Sequence, residues 1–361
     1  MMFLSGLLGL LVAGTSAGLL AFKPGEDVSD VEDDVADVED DVSDSDAPSL
    51  LDVATASDTL ITPDDVADPD DVPAEVSAGE ERPDPIASAT ATQRDDIVWG
   101  DAQGDTIEGG GGDDQVAGYA GDDTLLGGRG RDGLFGDAGD DMLAGGAGDD
   151  ALDGGDGDDL LVAEDGDDAL VGAFGADTLM GGAGGDTLSG GADGDLLRGG
   201  DGDDTLEGDA GADTLSGDAG HDEMSGGAGA DVILGLNPDA GSDNGDDADL
   251  LNGGTGADTL MMGSGDWANG GEDGDLFTLG AWIDPATPAT ISDYTPSEDQ
   301  IAIVYDPQTT PDPVLSVEPS DEHEDASWVL LNGVRLSEVL NAPDLNAGDV
   351  LLVTPQQFAW L

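Results

Sequence analysis

The sequence predicts an all-β protein with a parallel solenoid at its centre. Three observations carry that prediction. Residues 91–234 divide into sixteen consecutive blocks of nine, with no insertion or deletion. Place six of every block is Asp and place eight is always apolar. Most blocks open on Gly and carry Gly again at place four, as in Gly145-Gly146-Ala147-Gly148-Asp149-Asp150-Ala151-Leu152-Asp153. Self-similarity at a short fixed period is the mark of stacked coils, in which each unit contacts only its neighbours.

Composition narrows the classes of function. The chain sets 84 Asp or Glu against 7 Lys or Arg, a formal charge of −77. That balance excludes nucleic-acid binding through a basic patch and makes anionic membranes a poor partner. Like charges at this density resist compaction unless cations are taken up. With 60 glycines and 4% aromatic residues, a conventional core would be thin. The absence of Cys excludes disulfides and thiolate metal sites, and fits an extracellular chain stabilised by ions.

Residues 1–22 carry no charged side chain. As a helix they would span about 33 Å at about 1.5 Å per residue, enough to cross a bilayer. No basic n-region precedes them and Lys23 is the only basic flank, which fits an uncleaved membrane anchor better than a cleaved secretory signal. A buried hydrophobic helix is the third reading. Residues 23–90 are expected to form a disordered acidic tether. From 24 to 90, 23 Asp or Glu stand against Arg82, and Pro48, Pro63, Pro69, Pro73, Pro83 and Pro85 break the stretch. Low hydrophobicity with high net charge disfavours a packed core. Val28, Val31, Val35, Val38 and Val42 keep a heptad spacing, but two heptads with acidic outer faces are too few for a stable coiled coil.

The array itself can be read place by place. Glycines at places one, two and four permit positive φ and close chain approach, so places one to six read as a turn. Places seven to nine, such as Thr124-Leu125-Leu126, read as a three-residue strand. Side chains alternate along a strand, so place eight points inward while places seven and nine point out. Two blocks then make one coil, with strands on each side about 4.8 Å apart. Asp96 is expected to lie over Asp114, Asp132 and Asp150, and Asp105 over Asp123, Asp141 and Asp159. Carboxylates stacked that closely repel unless a cation sits between them. Oxygen donors without His or Cys select Ca²⁺ over transition metals, and Mg²⁺ fits less well because it demands a tight octahedron and keeps its waters. The candidate metal ligands are Asp96, Asp105, Asp114, Asp123, Asp132, Asp141, Asp150, Asp159, Asp168, Asp177, Asp186, Asp195, Asp204, Asp213, Asp222 and Asp231, with Asp249, Asp258 and Asp275 beyond them.

Departures from the pattern are informative. Arg94 and Gln103 replace Gly at place four of the first two blocks, which are expected to cap the array. Ala240 and Ser242 occupy the ligand and core places of block 235–243, which is expected to loop outward. One residue is lost within 262–269, putting Asp266 a place early. The last clear block is 270–278, where Phe277 suggests the closed end.

Sixteen blocks in register, built on Gly-Gly-x-Gly-x-Asp-x-apolar-x, resemble the RTX, or haemolysin-type calcium-binding, repeat family. The resemblance extends over residues 91–278. It implies a right-handed parallel β-roll in which several Ca²⁺ ions sit between neighbouring turns, held by the sixth-place Asp and turn carbonyls. It also implies folding on metal binding, secretion by a type I route and an extracellular or cell-surface location.

Residues 279–361 are expected to form a small β cap, a C-terminal type I secretion segment, or both. The runs 301–305, 328–331 and 350–353 read as strands. Ile291-Ser292-Asp293-Tyr294 resembles the segment that follows the repeats in many RTX proteins. No catalytic constellation is apparent. His221 falls at place five of a repeat and His323 in an acidic loop. HExxH and GxxxxGK are both absent, and the one GxSxG match, at 14–18, lacks the context of a nucleophile elbow. The sequence therefore points to a non-enzymatic, exported calcium-binding β-roll. The alternative is an adhesion or matrix protein that uses the roll as a stalk and residues 279–361 to bind a surface glycan or protein.

Overall fold

A computed structural model of the chain describes residues 89–90, 92–236 and 248–358. The anchor or signal segment, the acidic tether up to residue 88 and the core of the expected outward loop lie outside the described residues. The described chain is all-β, with 27 strands and one short helix, Pro355–Phe358.

As far as Gln300–Val304, successive strands alternate between two sheets, of 13 and 14 strands in all. Thr124–Arg129 pairs in parallel with Met142–Ala147, and Gln115–Ala120 with Gly133–Ala138. Leu125 stands beside Leu143 and Leu134 beside Leu152, an offset of 18 residues. Two blocks therefore make one coil, and the coils form a parallel solenoid of about ten turns. Place eight supplies the core: Leu125, Leu143, Leu161 and Leu179 line one sheet, Leu134, Leu152, Leu170 and Leu188 the other, all 0–2% exposed. Full burial of such a side chain contributes about 1.5–3 kcal/mol, which an isolated strand could not secure.

Most strands are six residues long, not three. Thr124–Arg129 carries its pairing through Gly128 and Arg129, places two and three of the next block. Only places four to six are left to turn the chain. Place two is left-handed in both glycines and others: Gly128 has φ 113°, Tyr119 79° and Glu164 83°. Place four needs glycine more strictly. Gly148 has φ 128°, and a Cβ on it would lie 2.0 Å from the Gly130 carbonyl oxygen. Asp193 is the one side chain within the regular array at this place, and it adopts φ 77°.

Register changes fall between coils. Met224 pairs with Leu251, 27 residues on, so nine extra residues leave the stacking intact. Leu251 then pairs with Ala268, 17 residues on, which accommodates the lost residue. Beyond Thr278 the same two sheets continue. Gln300–Val304 and Val350–Val353 add in parallel to one. Ala289–Ile291 and Val334–Val339 add to the other, which ends in antiparallel strands Ser327–Leu331 and Leu315–Pro319. The core widens here to Phe277, Ile291, Ile301, Ile303, Val329 and Val339. Asp293 accepts hydrogen bonds from the amides of Gly270 and Gly271 at 3.0 and 2.8 Å, tying the segment after the repeats onto the last block.

Candidate metal centre

Each sixth-place Asp sits where the turn re-enters its strand. Its backbone N–H donates to Oδ1 of the sixth-place Asp one coil later. Asp114 donates to Asp132 at 2.8 Å, Asp132 to Asp150 at 2.8 Å and Asp150 to Asp168 at 2.7 Å. On the opposite edge Asp123 donates to Asp141 and Asp141 to Asp159, both at 2.7 Å. The expected stacking of Asp96 under Asp114 and Asp105 under Asp123 is present, at 2.7 Å in each case. Of the nineteen candidate ligands, Asp96 is half-buried and the other eighteen are 1–6% exposed.

One ladder runs from Asp96 to Asp266 and the other from Asp105 to Asp299. Two of these rungs were not among the candidates. Asp249 donates to Asp266 Oδ1 at 3.2 Å, and Asp275 to Asp299 Oδ1 at 3.0 Å. Asp266 is shifted by the lost residue and is followed at the core place by the small Ala268. Asp299 stands 24 residues beyond Asp275, outside any nine-residue frame. The legible signal was Asp-x-apolar: Ala268 and Ile301 are both fully buried two residues after their Asp.

The second carboxylate oxygen is the chemically demanding one. Oδ2 of every ladder Asp from Asp114 to Asp213, and of Asp231, Asp258 and Asp275, is buried without a hydrogen-bond partner. A buried, unpaired anion is strongly disfavoured. Burial accordingly pushes the Asp150, Asp159, Asp195 and Asp204 carboxyls from 3.8 to about 7. Asp141, Asp168, Asp186 and Asp213 rise to about 6 for the same reason. In each case the amide bond to Oδ1 opposes the rise, and neighbouring carboxylates add to it.

A cation of suitable chemistry would answer this. Among the described residues no three His, Cys, Asp or Glu side chains converge as a ligand set, so backbone oxygens must supply most donors. The turns offer them: among the described residues no backbone amide donates to the carbonyls of Gly130, Gly148 or Gly166, and each stands where a Cβ on the place-four Gly one coil on would meet it at 1.8–2.0 Å. One buried carboxylate oxygen with carbonyl oxygens nearby is a hard, all-oxygen donor set, which suits Ca²⁺.

A second, exposed ladder occupies place five, to which the sequence reading assigned no role. Here the bond runs the other way, from a later amide to an earlier carboxylate. Arg131 N–H donates to Asp113 at 2.9 Å, Gly185 to Asp167 at 2.9 Å and Ala176 to Asp158 at 2.9 Å. The Arg131 guanidinium also meets Asp149 at 3.2 Å. His221 stands in this row, exposed, with Nδ1 3.7 Å from Asp203. Its signal was the frequency of Asp at place five, which the dominant sixth-place pattern obscured.

A family model of the RTX calcium-binding nonapeptide repeat, four copies long, matches in seven overlapping windows across residues 90–233. Residues 90–233 belong to the RTX repeat family. The match takes in the ladder aspartates from Asp96 to Asp231, and calcium is the ion that such repeats imply. Comparison with curated proteins finds no match. Among the described residues no helix is long and apolar enough to cross a membrane.

Proposed function

We infer that the chain is an exported, non-enzymatic RTX β-roll that folds by binding several Ca²⁺ ions between its turns. The observation that carries this reading is the continuous row of buried Oδ2 atoms without partners. Among the described residues of the array every Arg and His is exposed, so none brings a buried counter-charge to them. On this reading, Oδ2 of the interior ladder aspartates and the place-four carbonyls hold the ions. Bound Ca²⁺ supplies the positive charge that lets the carboxylates stay ionised while buried. The chain's own part is to fix each Oδ1 with an amide, turn Oδ2 inward and lock neighbouring coils through the leucine rows. Because metal sites of this kind are assembled only in the folded chain, binding energy is folding energy.

Export follows from the same dependence. Calcium is scarce in the cytosol and abundant outside, so the acidic chain stays extended until it leaves the cell. The non-enzymatic reading is supported by where the histidines stand. His221 faces solvent. His323 Nδ1 lies 3.0 Å from the buried Glu338 carboxylate, which also accepts the Ser320 hydroxyl, so His323 and Ser320 converge on Glu338. The test is circular dichroism of the full chain. It should be largely coil in chelator and β-rich in millimolar calcium, and an unchanged spectrum on adding calcium would refute the reading. Fractionation of cells into cytosol, envelope and medium tests the export claim separately.

A further inference from the structure

The ends of the two carboxylate ladders differ from their interiors. At the first rung of one ladder, Asp96 Oδ2 accepts both the Thr92 N–H and the Thr92 hydroxyl at 2.8 Å. At its last rung, Asp266 Oδ2 accepts the Gly263 N–H at 2.5 Å. The other ladder begins at Asp105, whose Oδ2 accepts the Asp101 N–H at 2.7 Å, and ends at Asp299, whose Oδ2 accepts the Thr295 N–H at 2.6 Å. Every terminal rung is thus closed by a donor from its own turn, three or four residues earlier. Interior rungs such as Asp132, Asp150 and Asp177 have no such donor.

We propose that these four aspartates are metal-free end caps, so that Ca²⁺ is confined to the interior rungs. The proposal rests on the calcium reading above. A local cause is visible in the backbone. Interior place-two residues are left-handed, as at Gly110 (φ 101°), and the Gly110 amide donates to Gly127 of the next coil. Thr92 and Asp101 are not left-handed, and their amides turn back onto their own Asp. Arg94 and Gln103 stand at place four of these same blocks, where most interior turns use a glycine at positive φ. The consequence for charge is direct. The amide and hydroxyl of Thr92 hold the Asp96 carboxyl below its ordinary range, the opposite of the interior rungs. Asp96 accepts one N–H and one O–H, Asp105 one N–H, and Asp266 and Asp299 an N–H on each oxygen; such charge-assisted bonds satisfy a carboxylate without a cation.

The test uses the full chain at saturating calcium. Bound ions are counted by native mass spectrometry for the unaltered chain and for Asp96→Asn, Asp299→Asn and the interior control Asp177→Asn. Both cap variants should bind as many ions as the unaltered chain, and Asp177→Asn should lose at least one. A cap variant that keeps its β spectrum but binds fewer ions would overturn the proposal. Should a cap variant fail to fold, amide hydrogen exchange read by NMR on the unaltered, calcium-loaded chain decides the matter. The Thr92, Asp101 and Thr295 amides should be protected; free exchange at these positions means that the carboxylates have turned to the ion, and the caps do not exist. A chain that binds no calcium at all sinks the calcium reading instead.

Discussion

In the absence of metal, the roll should be stable in mild acid and lost toward neutral pH. The carboxyls of Asp150, Asp159, Asp195 and Asp204 are raised from 3.8 to about 7 in the fold. Between those limits the folded chain binds protons that the unfolded chain does not, so stability falls as pH rises. The contribution of each group is fully present below pH 3.8 and gone once pH passes about 7. For one such carboxyl the whole span is worth at most about 4 kcal/mol. A typical domain is stable by roughly 5–15 kcal/mol, so a few of these groups suffice to unfold it. The assay is far-UV circular dichroism of the chelated full chain between pH 5 and pH 8, above the sequence isoelectric point of about 4.1. β signal should grow as pH falls through 7 to 5 and fade on return. Calcium should flatten that profile, because it takes the place of the proton. A metal-free chain equally folded at pH 5 and pH 8, or folded only at pH 8, would refute the reasoning.

Four further outcomes are expected. Asp150→Ala should lower the cooperativity of calcium-induced folding more than Asp96→Ala, since an interior rung supports neighbours on both sides; equal slopes and midpoints in a calcium titration would count against the ladder. Leu179→Ala removes a fully buried rung of the apolar row and should cost about 2–5 kcal/mol in urea unfolding with calcium present. Gly148→Ala places a Cβ 2.0 Å from the Gly130 carbonyl at φ 128° and should destabilise by more than about 1 kcal/mol, measured in the same way. Asp293→Ala leaves the Gly270 and Gly271 amides without their acceptor, and should expose Tyr294, now 5% accessible, to fluorescence quenchers.

Much of this architecture was legible because each place in the repeat has one physical task. A constant apolar eighth place fixed the inward face, and the constant Asp fixed which side chains would stack. The 18-residue register followed from having two blocks to a coil. The six-residue strand was less legible, because glycine reads as a turn former. At Gly128 and Gly146 it serves a left-handed residue inside a paired strand. Asp266 and Asp299 escaped a reading tied to a nine-residue frame. Their membership depends on which strands pair, and that is decided by the core contacts of Ala268 and Ile301 rather than by counting. Strands Leu315–Pro319 and Val334–Val339 lie in a stretch without repeats, where only three-dimensional pairing distinguishes a strand from a Pro-rich connection.

An array of nine-residue units folded as 18-residue coils has a parity. Odd blocks feed one sheet and even blocks the other, and the antiparallel strands near the C-terminus attach to only one of them. Whole coils can be added or removed without touching that assignment. A single block cannot, since every strand after it would change sheets and arrive at the wrong side of the closing segment. The steps from Asp222 to Asp249 and from Asp231 to Asp258 obey this arithmetic: each spans 27 residues, yet each advances its ladder by one rung. The surplus nine residues are kept out of both ladders, so the closing strands meet the sheets they are built to fit.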